Sequence, residues 1–216
     1  MRRTRLLVKQ PFPFVTFFGV IFYCFSFFPS SGDASERLFS LQIGPTWPTA
    51  TSSGWDGEVM FGNFIDKKVG FGIAADFLWH TRTLEKDTVD QNSSPSKITL
   101  KDESSYMFPV MGFFVLDPIP EQMIHPMVKF EIGYNSMIYN LTELNPPAVM
   151  PRTGYHYGLI IKAGLDGLYN VGGQAAAYAG LDYRWAETKS TKDSNGFFSR
   201  RDMSGAGIHI GFRFLL

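Results

Sequence analysis

Charged and imidazole side chains recur at even spacing inside otherwise apolar segments of this chain. They are the residues able to do chemistry. His80 follows Asp76 by four residues, Glu131 follows Lys129 by two, Arg184 follows Asp182 by two, and Arg213 follows His209 by four. Such spacing places each pair on one face of an extended strand. A Ser–His–acid site would need a hydroxyl beside an imidazole. Gly207 and Gly211 flank His209 on its own face, and although Ser40, Asp76 and His80 could meet inside the fold, nothing in their spacing fixes that geometry. A metal site drawn from His80, His156 and His209 has no short ligand spacing behind it. The remaining chemistry is a buried network of opposite charges. Glu58, Asp76, His80, Lys129, Glu131, Asn135, Lys162, Asp182, Arg184, His209 and Arg213 carry both signs in near balance and can satisfy one another. We therefore expect no catalytic, cofactor-binding or metal residue, and no cofactor. His125 lies outside these segments and reads as solvent-facing. Phosphate loops, dinucleotide fingerprints and zinc-protease patterns are absent from the sequence.

The elements that would position these groups alternate with a period of two. In the C-terminal stretch Ala206, Ile208, Ile210, Phe212, Phe214 and Leu216 share one face, while Gly207, His209, Gly211 and Arg213 share the other. An unbroken apolar face opposite a small or charged one suits a strand between lipid and a polar interior. Seven further segments read as strands: Arg37 to Trp47, a weaker Gly54 to Phe64, Val69 to His80, Ser105 to Val115, Val128 to Asn135, Tyr155 to Gly164, and Gln174 to Trp185. Ser105 to Val115 is apolar on both faces, so its orientation is not set by pattern. Trp47, Trp55, Trp79, Tyr106, Tyr134, Tyr139, Tyr155 and Trp185 fall near segment ends, as rings at a membrane interface do.

Residues 1–34 read as an export signal. Arg2, Arg3, Arg5 and Lys9 precede a nearly nonpolar run from Phe12 to Phe28, and Pro29 to Ala34 is small and turn-prone. The alternative is an uncleaved anchor, because that run is near the lower length limit for a span. Setting aside its four bases and Asp33 leaves 182 residues with 16 basic and 19 acidic side chains, a net charge of −3. No basic patch follows, which argues against a nucleic-acid partner. The single cysteine, Cys24, lies in the signal, so residues 35–216 form one domain without disulfides.

The linkers alternate in length. Tight turns are expected at Asp66-Lys67-Lys68 and Asp166-Gly167, and long polar connections at 82–102, 140–152 and 189–202. Asp117 to His125, with Pro118 and Pro120, reads as an ordered excursion and fits the scheme least well. Short turns at one rim and long loops at the other describe a transmembrane barrel. Backbone amides in hydrocarbon must all be paired, so the sheet has to close. The fold class expected is all-β: an eight-stranded antiparallel transmembrane β-barrel with meander topology, its lumen filled by side chains. A soluble secreted sandwich would share the alternation but not the inward charges on five strands.

This pattern resembles the small bacterial outer-membrane barrels similar to the transmembrane domain of OmpA and to OmpX, over roughly residues 36–216. The resemblance rests on the signal, the eight strands and the terminal Phe212-Arg-Phe-Leu-Leu216. It implies location in the bacterial outer membrane, contact with outer-membrane lipid, and delivery by periplasmic chaperones to the barrel assembly machinery, with Phe212, Phe214 and Leu216 as the assembly signal. The usual form ends on the aromatic residue itself, whereas Phe214 here is two residues early. The expected role is non-enzymatic, structural or surface-interacting, through an extracellular partner held by loops 82–102 and 189–202, where Phe197-Phe198 adjoins Arg200-Arg201. A small-solute pore and a lipid-modifying enzyme are the alternatives.

Overall fold

The computed structural model describes residues 36–89, 95–145, 148–190 and 200–216. The side chains of 84–89, 95–101, 143–145 and 148–152 are outside that description. The expected export signal, residues 90–94 and Phe197-Phe198 lie outside the described residues.

Alternation becomes strand wherever it was legible. The strands are β1 (Arg37–Pro48), β2 (Gly54–Phe64), β3 (Val69–Val89), β4 (Pro95–Leu116), β5 (Ile124–Asn145), β6 (Ala148–Gly172), β7 (Ala175–Ser190), the short β8 (Arg200–Asp202) and β9 (Gly205–Leu215). Both β8 and β9 pair with β7, so they form one stave interrupted at Met203 and Ser204. Neighbours in sequence are antiparallel neighbours in space, and β1 pairs with β9, closing eight staves into a barrel. At the seam Arg37 and Leu216 exchange backbone hydrogen bonds of 3.1 and 2.8 Å.

The stagger can be walked residue by residue. Leu38 lies opposite Gly62, and the ladder continues through Gly72, Phe113, Glu131, Lys162, Arg184 and Gly205. It returns to β1 at Pro48, ten residues from its start. With a rise of about 3.3 Å per residue and about 4.8 Å between strands, that stagger tilts the strands by about 40°. The wall-to-wall backbone diameter is then about 16 Å, narrow enough for side chains to fill.

The outer face is an apolar belt. Ile43, Phe71, Val110, Ile132, Leu159, Leu181, Ile210 and Phe212 all project outward and exposed, the inverse of a soluble protein's surface. Trp55 lies opposite Trp79, and Trp79 opposite Tyr106, so indole and phenol rings line one edge of the belt. Tyr183 and Trp185 stack edge-on at 4.7 Å in the same band. Tyr139 departs from this expectation: it is 6% exposed and faces the lumen, because it shares the odd-numbered face of β5 with Lys129 and Glu131. In β4, register decides what pattern could not, turning Met107, Met111, Phe113 and Val115 inward.

Three connections differ from expectation. Asp166-Gly167 is not a turn; both residues continue β6, opposite Gly180 and Ala179. The hairpin instead turns at Gly172 and Gly173, whose φ angles of 129° and 60° suit residues without a Cβ. Much of 82–102 and 140–152 is paired strand, with pairs reaching Val89 opposite Pro95 and Asn145 opposite Ala148. The Asp66 turn forms as expected, its Oδ1 accepting from the backbone N–H of Lys68 and Val69 at 2.8 Å each.

Candidate functional site: the barrel lumen

The inward face of every stave contributes to a lumen whose middle is charged. Glu58 on β2 is its hub. Lys129 Nζ donates to Glu58 Oε1 at 2.8 Å and to Gln42 Oε1 at 2.9 Å, and lies 3.1 Å from Glu131. Lys162 Nζ donates to the other Glu58 oxygen and to Asp76 Oδ2 at 3.2 Å, with Asp56 at 3.6 Å. Arg184 donates to Asp56 and lies 4.0 Å from Asp76. Glu58, Asp76, Lys129, Glu131, Lys162 and Arg184 are at most 1% exposed. Burying charges costs several kcal/mol each unless geometry and extra hydrogen bonds compensate, so their reciprocal pairing is what makes the arrangement tenable.

A second cluster adjoins it. His209 places Nε2 2.8 Å from Asp166 Oδ1 and Nδ1 2.9 Å from Asp182 Oδ2. Tyr178 lies edge-on to that imidazole at 6.0 Å, and its hydroxyl shares a 2.6 Å hydrogen bond with Ser40. Both imidazole nitrogens thus face carboxylates, so neither is directed at a hydroxyl as a general base would be. Ser40, Asp76 and His80 do not assemble: Ser40 is taken by Tyr178, Asp76 by Lys162, and the His80 imidazole lies against Gly54 on β2.

The short-turn end has its own floor. Asp117 Oδ2 accepts from Arg213 at 3.0 Å and lies 3.0 Å from His125 Nε2, while His125 Nδ1 contacts the Gln122 carbonyl at 2.9 Å. His125 is 1% exposed, which corrects its expected solvent-facing position. The Pro118–Pro120 excursion folds back and brings that ring under the barrel. At the opposite end Arg201 pairs with Glu103 at 3.1 Å and stacks over Tyr139 at 3.5 Å.

Asp56, Asp117, Asp166 and His125 are lumen residues that the sequence reading omitted. Parity was the available signal: Asp56 shares its face with Glu58, Asp166 with Lys162, and His125 with Lys129. Oxygens of Glu58, Asp76 and Glu131 lie within 4.8 Å of one another, close enough to hold a metal ion. The ammonium groups of Lys129 and Lys162 already stand among them, so that trio has its cations.

Apolar belt, aromatic edge, closed staves and filled polar lumen together define the class: a small transmembrane β-barrel of the bacterial outer-membrane type. The solved structures it is similar to agree on the fold. A major outer membrane protein from Thermus thermophilus matches with a TM-score of 0.50 at 12% identity, covering 83% of this chain and 99% of that one. The outer membrane protein OprG from Pseudomonas aeruginosa matches with a TM-score of 0.51 at 12% identity, covering 84% and 95%. No protein-family model matches the chain, and no curated protein is similar to it in sequence.

Proposed function

We propose that this protein is a plugged, non-enzymatic barrel of the outer membrane whose role is surface interaction. The observation that carries the reading is the disparity in strand length. β3, β4, β5 and β6 have 21, 22, 22 and 25 residues, against 12, 11 and 11 for β1, β2 and β9. About 9–11 residues span a bilayer, so four adjacent staves continue beyond it as a sheet. Short turns belong to the periplasmic rim in such barrels, which directs this sheet outward.

One margin of the sheet is open. The β2–β3 ladder ends at Gly54 opposite His80, while β3 continues to Val89. Among the described residues no strand pairs with this margin of β3 from Arg82 to Val89, which therefore offers backbone N–H and C=O groups to an extended segment of another polypeptide. Within the cell, Phe212, Phe214 and Leu216 are the groups we assign to recognition by the assembly machinery. Phe212 and Leu216 are 56% and 62% exposed on the outer face.

Cells displaying the protein should adhere to surfaces coated with extracellular proteins, and a Thr83→Pro/Glu85→Pro variant should lose most of that adhesion at equal surface level. Equal adhesion by variant and wild type would remove the role given to this edge.

A further inference from the structure

Above the charged middle, the lumen changes chemistry. Ser105, Asn135, His156 and Ser190 are at most 3% exposed, and each has a buried polar side-chain atom with no hydrogen-bond partner among the described residues. In the middle tier the unpartnered oxygens belong to carboxylates already engaged by a cation or an imidazole. Unsatisfied buried polar atoms are rare, and a group of them points to something they bind.

Two thioethers stand in the same tier. Met137 lies directly opposite Met107 on one side and His156 on the other, and all three face inward at 0–2% exposure. Side chains directly opposite across a ladder have Cβ atoms about 5 Å apart, so the two methionine side chains and the imidazole are neighbours. His80 is opposite Ser105, two residues before Met107 on β4. His80 itself turns the other way: its Nδ1 lies 2.2 Å from where a Cβ on Gly54 of β2 would stand, so it is apart from the trio. His156 Nδ1 has no hydrogen-bond partner among the described residues. Neutral imidazole with thioether sulfur is a soft donor set, suited to Cu(I) and its analogue Ag(I) rather than to oxygen-seeking cations.

We propose that Met107, Met137 and His156 form a binding site for a soft monovalent metal ion in the upper lumen. The Arg201–Glu103 pair lies over Tyr139, two residues beyond Met137 on β5, and covers the site on the outer side. Asn135, two residues in the other direction, marks its boundary with the charged tier.

The test is calorimetric titration of the purified, folded protein in detergent with Ag(I). One equivalent should bind, and Zn(II) in tenfold excess should not displace it. Met107→Leu/Met137→Leu keeps core volume and is expected to retain the fold, verified by the mobility shift on boiling, while weakening Ag(I) at least tenfold. His156→Leu should weaken it similarly, and ¹⁵N resonances of His156 should move on binding. Met123→Leu, at an exposed position, should change nothing. Absence of binding, displacement by Zn(II), or an unchanged titration in the folded double variant would overturn the proposal and leave the methionines as packing residues.

Discussion

Gly180 and His209 lie opposite each other on the β7–β9 ladder, and the pair works because one of them has no side chain. A Cβ at position 180 would stand 2.8 Å from His209 Nε2 and 2.0 Å from Asp166 Oδ1. The glycine is thus the space in which the imidazole meets its carboxylate. Gly180→Ala should displace that contact and destabilise the barrel by about 1–3 kcal/mol, as overpacking does. Urea unfolding in micelles measures it; an unchanged midpoint would show that the Asp166–His209 contact is dispensable.

Among the described residues, Glu58 alone bonds to both lumen lysines through separate oxygens. Glu58→Ala would leave each ammonium short of a partner where water is excluded. The expected loss is about 3–5 kcal/mol, the range for breaking one side of a buried ion pair. The same unfolding assay reads it, and Glu121→Ala, at an exposed rim pair 3.7 Å from Lys67, should cost less than about 1 kcal/mol.

The network also obstructs the lumen. Wild-type protein in planar bilayers should show no steady conductance steps. Charge-balanced truncation by Glu58→Ala, Asp76→Ala, Lys129→Ala and Lys162→Ala should produce them, because four long side chains leave an interior only about 16 Å wide between backbones. Steady wild-type conductance would contradict the plugged reading.

Asp66 gives a pH dependence of definite sign. Its carboxylate lies below the ordinary value of 3.8, first because the backbone N–H groups of Lys68 and Val69 bond to it. A depressed acid stabilises the fold above its unfolded-state value and loses that contribution as pH falls through the folded one. Between pH 7 and 5 the wild type and Asp66→Ala should therefore differ by a constant amount, and the difference should shrink below pH 4. A gap that widens on acidification would exclude this turn as its source.

The lumen was legible where polar residues interrupt an apolar alternation, as Lys129, Glu131 and Asn135 do on β5. It was illegible where local chemistry imitates a turn. Asp166-Gly167 has the composition of a hairpin tip, yet Asp166 continues the parity of Lys162 and Gly164 into the barrel. Asp56 was obscured by Gly54 and Gly57 in the weakest strand, and Asp117 and His125 by the prolines between them. Phe113 and Phe114 mark a harder limit. Both are apolar in an apolar run, and only pairing with β3 and β5 sends the first inward and the second to the belt. The extent of the long hairpins was hidden because the sequence of their outer halves is polar and carries no amphipathic period.

The ten-residue stagger has one more consequence, for how the closed state is recognised as correct. Lipid rewards any arrangement that keeps apolar faces outside, so greasiness alone does not tell one ladder alignment from another two residues away. The lumen charges do. Glu58, Asp76, Lys129, Lys162 and Arg184 come from five different staves, and their atoms coincide only in the native alignment. A slip of one residue turns a lysine or arginine toward hydrocarbon at about 2–4 kcal/mol near the midplane. A slip of two keeps it inside and strands it from its carboxylate. The network is therefore a combination lock on assembly, opened by a single setting of all the strands that contribute to it.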